Sequence, residues 1–312
     1  MSPLPPHLPG LPSDGSAADH PVNMLALDGG VVTVTICNRR AANALDDATR
    51  QAVLGALRAA TEDPECTAIV LTGEGDTFCA GGDLVSMPTG EPLIRRRLGE
   101  MHEIVRLLHV GPKPVVAAVD GSAYGSGMSL AAACDYVVAT GRARFGCSFG
   151  AVGLVADTGL AWTLPRQVGW RVSRSILLGG KYLDAEEALQ VGLVDELVSP
   201  ADLLPAAHRW ATAFSDRAPL ALAATRCLLG EAPSTLDEHL DRELELQIAL
   251  LASDDFAEGR SAFFDRRPPV FGHRRQRDSL TGDQYPPEGP GGHRPAGGLA
   301  PGDGSGAQGG LR

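Results

Sequence analysis

The chain has few aromatic side chains, almost no lysine and no long apolar run, and each shortage excludes something. Phe, Trp and Tyr make up 5% of the 312 residues, while apolar residues reach 44%. The core must therefore be built from Ala, Val, Leu and Ile, and the chain is long enough to bury a substantial one. Nowhere do about 18 apolar residues follow one another, the length that a membrane span requires. The first residues, MSPLPPHLPGLPSDGSAADHP, carry neither the basic start nor the apolar run of a secretory signal. A cytoplasmic protein with no membrane partner is expected. Only Lys113 and Lys181 are lysines, and 38 acids against 27 bases leave a net charge of −11. That balance argues against nucleic acid as a partner, because phosphate backbones are bound by a basic face. A small anionic ligand stays open, with its contacts falling to arginine or to helix N-termini. The six cysteines, Cys37, Cys66, Cys79, Cys134, Cys147 and Cys227, are scattered without a CxxC pair or a histidine at ligand spacing. Reduced thiols and no metal site are expected.

Composition also marks where the fold stops. Residues 1–21 are rich in Pro, Gly and Ser, and residues 273–312 hold very few apolar side chains. Both are expected to be disordered tails, either without function or serving as interaction arms. Between them the reading divides into a core over 22–200 and a helical region over 201–272.

Within the core the periodicities alternate. MLALDG and VVTVTIC are β-branched runs joined by Asp28-Gly29-Gly30, a hairpin signal. Asp46 or Asp47 caps a helix to about Glu62, with Val53, Leu54 and Leu57 on one face. TAIVLTG reads as a buried strand, 92–109 as a helix, and Pro112 and Pro114 confine the next strand to PVVAAV. A small-residue helix to about Ala133 and the strand YVVAT follow. Strand, loop and helix recur in ββα-like turns, which predicts an α/β fold. Beyond Asp202 the spacing is helical throughout, with long apolar faces suited to packing on another subunit.

Two glycine-rich turns stand where chemistry is expected, GDTFCAGGDL at 75–84 and VDGSAYGSGMSLAAACD at 119–135. Glycine lets backbone N–H groups approach a ligand closely, and a helix N-terminus adds partial positive charge. Together such turns can hold an oxyanion. A third stretch, GLVADTGLAWTLPR at 153–166, places one carboxylate, Asp157, in a run that is otherwise apolar or glycine-bearing. Asp157 suits a proton shuttle, the reading preferred here, and the N-cap of the helix that follows is the other role open to it.

The stretches KPVVAAVDGSAYGSGMSLAAACDYVVA, TFCAGGDL, LLGGKYLDAEEALQVGLVDELV and DDFAEGRSAFFDRRPPVFG resemble the enoyl-CoA hydratase/isomerase (crotonase) superfamily over about residues 24–272, in the family's order. The resemblance implies a crotonase (ClpP-like) spiral of ββα turns with a helical C-terminal trimerisation region, and a homotrimer or dimer of trimers. It implies an acyl-CoA thioester substrate, with coenzyme A as part of the substrate and no separate cofactor. By motif position the oxyanion donors are the backbone N–H groups of Gly82 and Ser126. The two glutamates that hydratases share fall on Ser129 and Phe149, neither of which can act as a general base. Asp157 stands in the turn where 1,2-epoxyphenylacetyl-CoA isomerases and some enoyl-CoA isomerases carry an aspartate, and where a dehalogenase of the family carries its nucleophile.

The resemblance further assigns Arg39, Ala42, Ala44 and Ala80 to the substrate, and Arg266 where relatives often carry lysine, with a surface arginine as the other reading of Arg266. The usual proline after NR is Arg40 here. Ser129 is read as a substrate hydrogen-bonder or a helix-surface hydroxyl, and Trp162 as core or acyl pocket. Asp83 and Asp135 are read as turn or cap residues. The expected activity is an isomerase working through an enolate with Asp157 as acid and base. A hydratase using one carboxylate and a positioned water, and a non-catalytic CoA-binding or partner subunit, remain as alternatives.

Overall fold

The structure, a computed structural model, describes residues 20–27, 29–147, 149–232 and 235–271. The two expected tails lie outside these residues except for His20 and Pro21, as does Asp28 of the hairpin signal. Strand β1 (Val22–Ala26) pairs antiparallel with β2 (Val31–Ile36). Helix α1 (Asp47–Glu62) starts where the Asp46 carboxylate accepts the Thr49 N–H at 2.8 Å, so Asp46 rather than Asp47 is the cap. Then come β3 (Ala68–Gly73), α2 (Glu91–His109), β4 (Val115–Val119), β5 (Ser122–Tyr124), α3 (Ser126–Ala133), β6 (Tyr136–Thr140) and β7 (Arg144–Gly146). Helix α4 (Leu160–Leu177), β8 (Leu183–Asp184), α5 (Ala185–Val191) and β9 (Glu196–Val198) complete the strands.

Successive strands are dealt to two sheets. One runs β1-β2-β3-β4-β6-β9, parallel throughout except for β1, and the other runs β5-β7-β8. The first four strands all join the large sheet; from β4 onward the chain passes between the two, with β6 and β9 in the large sheet and β5, β7 and β8 in the small one. Parallel strands covered on both faces should read as unbroken apolar runs, and β4, VVAAV, is buried at every position. Alternate residues point to different layers. Ile69, Leu71, Val115 and Ala117 join the main core with α1, α2 and α3, while Ala68, Val70, Val116 and Ala118 meet Leu203, Ala206, Ala207 and Ala211 of α6 (Leu203–Ser215). Small side chains let these layers approach closely, which explains how the core is filled with so few rings.

The remaining helices are α7 (Pro219–Gly230), α8 (Leu236–Leu251) and α9 (Asp254–Asp265). No residue of α8 is buried, and Leu236, Leu240, Leu244, Ile248 and Leu251 form an exposed stripe along it. Phe263 of α9 is 78% exposed. Contiguous exposed apolar faces of this kind mark association surfaces. No helix among the described residues is long and apolar enough to cross a membrane.

Candidate active site

The loops that leave the C-terminal ends of β2, β3 and β4 are stitched together by backbone hydrogen bonds. Ala80 N–H donates to Ala42 O at 3.0 Å, Leu45 N–H to Gly81 O at 2.8 Å and Tyr124 N–H to Cys79 O at 2.9 Å. Asn43 clamps them. It is buried with φ 57°, a conformation that Asn tolerates, and its Nδ2 donates to the carbonyls of Glu74 and Thr77. Ala42, Ala44, Ala80 and Gly82 thus share one wall. Nothing in the sequence reading marked Asn43, whose role depends on carbonyls more than 30 residues away.

Across from that wall stands the N-terminus of α3. Gly125 precedes it at φ 53°, ψ −119°, which a residue with a Cβ does not adopt. A Cβ on Gly127 would overlap the Cys79 carbonyl, so glycine there allows α3 to press against the loop carrying Gly82. The point a Cβ would occupy on Gly82 is 3.9 Å from Ser126 Oγ. Neither the Gly82 N–H nor the Ser126 N–H donates to a protein acceptor among the described residues. Helix α3 is buried along its whole length, so the positive end of its dipole is poorly screened. Two unused donors at such an end are able to hold an oxyanion.

Asp157 lies on the loop between β7 and α4, beside α3. It is half-buried, and its Oδ1 accepts the Thr158 hydroxyl at 2.9 Å. Thr158 is itself buried, at φ 54°, with its hydroxyl 3.5 Å from Ser126 Oγ. This pair brings the carboxylate close to Ser126 at the N-terminus of α3. Helix α4 is preceded by Gly159 with no side-chain cap, so the capping reading of Asp157 does not hold and the carboxylate is not tied to the helix.

Several expectations are corrected by the packing. Ser129 is no helix-surface hydroxyl: it is completely buried, and its Oγ donates to Gly125 O at 3.2 Å and Asp157 O at 3.4 Å. It ties the Asp157 loop to α3. Trp162 is not core, since it is 39% exposed under the Arg166 guanidinium, 3.3 Å above its ring. Asp135 is more than a turn residue, because it pairs with Arg226 of α7 at 2.8 Å. Asp83, by contrast, accepts the N–H groups of Val85 and Ser86 as a turn residue should.

Phe149 faces α3, its Cζ 3.9 Å from where a Cβ on Gly125 would sit. Arg39 is exposed on the first loop. Arg266 is the C-cap of α9, and no hydrogen bond or ion pair joins it to the site among the described residues. Cys79 lies beneath the site, but burial pushes its thiol up to about 12, so it remains protonated.

One neighbour of the hole had no marker in the sequence. Arg97, 7% exposed on α2, places Nη2 3.2 Å from where a Cβ on Gly82 would sit. Its periodic position among three consecutive arginines gives no sign that it alone turns inward. Burial and then the like charge of Arg50 press its pKa below the ordinary arginine value, while Asp47, Asp157 and Asp83 attract it.

Comparison with known proteins matches this geometry to a family. The model of the enoyl-CoA hydratase/isomerase family matches residues 27–274. A probable enoyl-CoA hydratase of Rhodobacter capsulatus is 36% identical over 247 residues, covering 78% of this chain and 94% of the relative. The 1,2-epoxyphenylacetyl-CoA isomerase of Escherichia coli is 33% identical over 251 residues, covering 78% and 96%. An enoyl-CoA hydratase of a Polaromonas species has a solved structure that superposes with a TM-score of 0.74 at 35% identity, over 80% of this chain and 99% of that one. The family match runs from the turn after β1 through α9, glycine turns included: the chain has the crotonase fold and belongs to the enoyl-CoA hydratase/isomerase family.

Proposed function

We propose that the protein is an acyl-CoA isomerase that moves a double bond or rearranges a strained ring through an enolate. The observation that carries this reading is the place of Asp157: its carboxylate stands beside the N-terminus of α3 through Thr158, while the positions of the two hydratase glutamates hold a tied-back Ser129 and a Phe149. The thioester carbonyl oxygen accepts the Gly82 and Ser126 N–H groups. Asp157 takes a proton from the α or γ carbon, the electron pair moves onto the thioester oxygen, and the proton returns to a different carbon. Charge built on that oxygen meets preorganised donors, each worth about 3 kcal/mol in the transition state. Arg39, Ala42, Ala44 and Ala80 border the substrate on the loop wall, with Phe149 and Trp162 on the acyl side and Arg266 toward coenzyme A phosphate.

A hydratase with one carboxylate and a positioned water is the second reading, favoured by relatives such as the R. capsulatus protein. The two separate in deuterated water. Incubation with 2-enoyl-, 3-enoyl- and aryl-CoA esters should give products of unchanged formula that carry deuterium at the α or γ carbon. A mass gain equal to water supports the hydratase instead, and binding without turnover supports a non-catalytic subunit.

The apolar stripe of α8 and the exposed Phe263 should be covered by further copies of the chain. Light scattering at micromolar concentration should give a multiple of three chains. Leu240→Glu combined with Leu244→Glu should reduce it to the monomer mass, because buried interface leucines become desolvated charges. A monomeric wild type would overturn the expectation.

A further inference from the structure

The chemistry above uses the Gly82 and Ser126 N–H groups and leaves the buried cation beside them without a task. Nη2 of Arg97 sits 3.2 Å from the would-be Cβ of Gly82, which by covalent geometry is within about 6 Å of the Gly82 nitrogen. The same Nη2 donates to Leu45 O at 3.1 Å. Leu45 and Gly82 are bridged as neighbours in adjacent extended segments. One side chain therefore braces the segment that presents Gly82 and carries a charge next to it.

Ion pairing leaves that charge incompletely cancelled. Arg50, Arg96 and Arg97 share two carboxylates, Asp47 and Glu100. The short contacts, 2.9 and 2.7 Å, go to Arg50, and Arg97 reaches Asp47 only at 3.4 Å. Asp47 is half exposed and so is screened by water, whereas Arg97 is buried and its field reaches further. Asp157 attracts Arg97 as well, so the cation interacts with the group that gives up negative charge when the substrate proton is taken.

We propose that Arg97 is a positioning residue for the enolate: it fixes the Gly82 donor through Leu45, and its uncancelled charge favours negative charge on the thioester oxygen. This rests on the acyl-CoA enolate reading of the site. A brace without an electrostatic role would affect all bound esters alike, whereas this role shows itself only when the ligand carries the charge.

The test compares two ligands. Acetoacetyl-CoA can ionise to an enolate at the thioester oxygen; butyryl-CoA cannot. Calorimetric titration of Arg97→Met should show acetoacetyl-CoA bound at least about 10-fold more weakly, with butyryl-CoA within about threefold of wild type. In turnover, kcat should fall at least about 10-fold with KM little changed. Arg97→Lys, which keeps the charge, should restore most of both. If Arg97→Met does not fold, Arg97→Gln, which keeps an N–H donor and loses the charge, carries the same expectation. Equal weakening of both esters, or no weakening of either, would overturn the role for Arg97 while leaving the acyl-CoA reading intact. A wild type that binds neither ester would overturn that reading and this role with it.

Discussion

Asp157→Asn should fold and bind CoA esters like the wild type and lose about 100-fold or more of its turnover, the scale of a positioned general base. The substitution is nearly isosteric. The amide oxygen can still accept the Thr158 hydroxyl that now donates to Oδ1, and no helix cap is lost, because α4 has none from this side chain. What disappears is the basic lone pair. Exchange of solvent deuterium into the α or γ carbon of the substrate should vanish with it, while the melting temperature stays within a few degrees. Exchange at the wild-type rate in a well-folded variant would remove Asp157 from the mechanism and favour the hydratase or non-catalytic reading.

The largest loss of stability is expected from Arg226→Met. Arg226 is 5% exposed and donates through Nε to Asp135 at 2.8 Å and through its other nitrogens to the carbonyls of Leu108, Gly111 and Lys113. It thereby closes the C-terminal end of α2 and anchors α7 to the start of β4. Removing it leaves three carbonyls short of a donor and takes its counter-ion from Asp135, whose side chain is 23% exposed. Breaking one side of a buried pair costs about 3–5 kcal/mol, and the part-exposed Asp135 places this loss toward the lower end, still a large part of the ~5–15 kcal/mol by which a domain is stable. The urea midpoint should fall accordingly. Arg226→Lys should recover only part, since an ammonium lacks the fork that reaches several acceptors.

The deficit should also depend on pH. Burial raises the pKa of Asp135, and Arg226 opposes the rise. Without the guanidinium the folded-state value moves further above the unfolded one. Such a group contributes stability below its unfolded pKa and loses it as pH rises through the folded pKa. The gap between Arg226→Met and wild type should therefore narrow on acidification from neutrality, and a gap that widens would show that Asp135 is not the group left stranded.

The sequence by itself determined everything that follows from local rules. β-Branched runs between turn residues became strands, the cap of α1 fell to one of two adjacent aspartates, Asp46, through an N–H three residues on, and Asp83 closed its own turn. Glycine at 125 and 127 was legible because a position without a Cβ leaves a mark in the text. Asp157 was visible as one acid in an apolar run. The tertiary structure decided what depends on distant partners. Asp135 meets an arginine 91 residues away, Arg97 is selected from three adjacent arginines by the way α2 lies on Leu45 and Gly82, and Ser129 turns inward onto a loop 28 residues further along. Trp162 reads as core by its type but ends under Arg166 at the surface. Periodicity and turn chemistry act over a few bonds and are written in order along the chain; the pairing of buried polar groups is fixed only when packing chooses which of them lose water together.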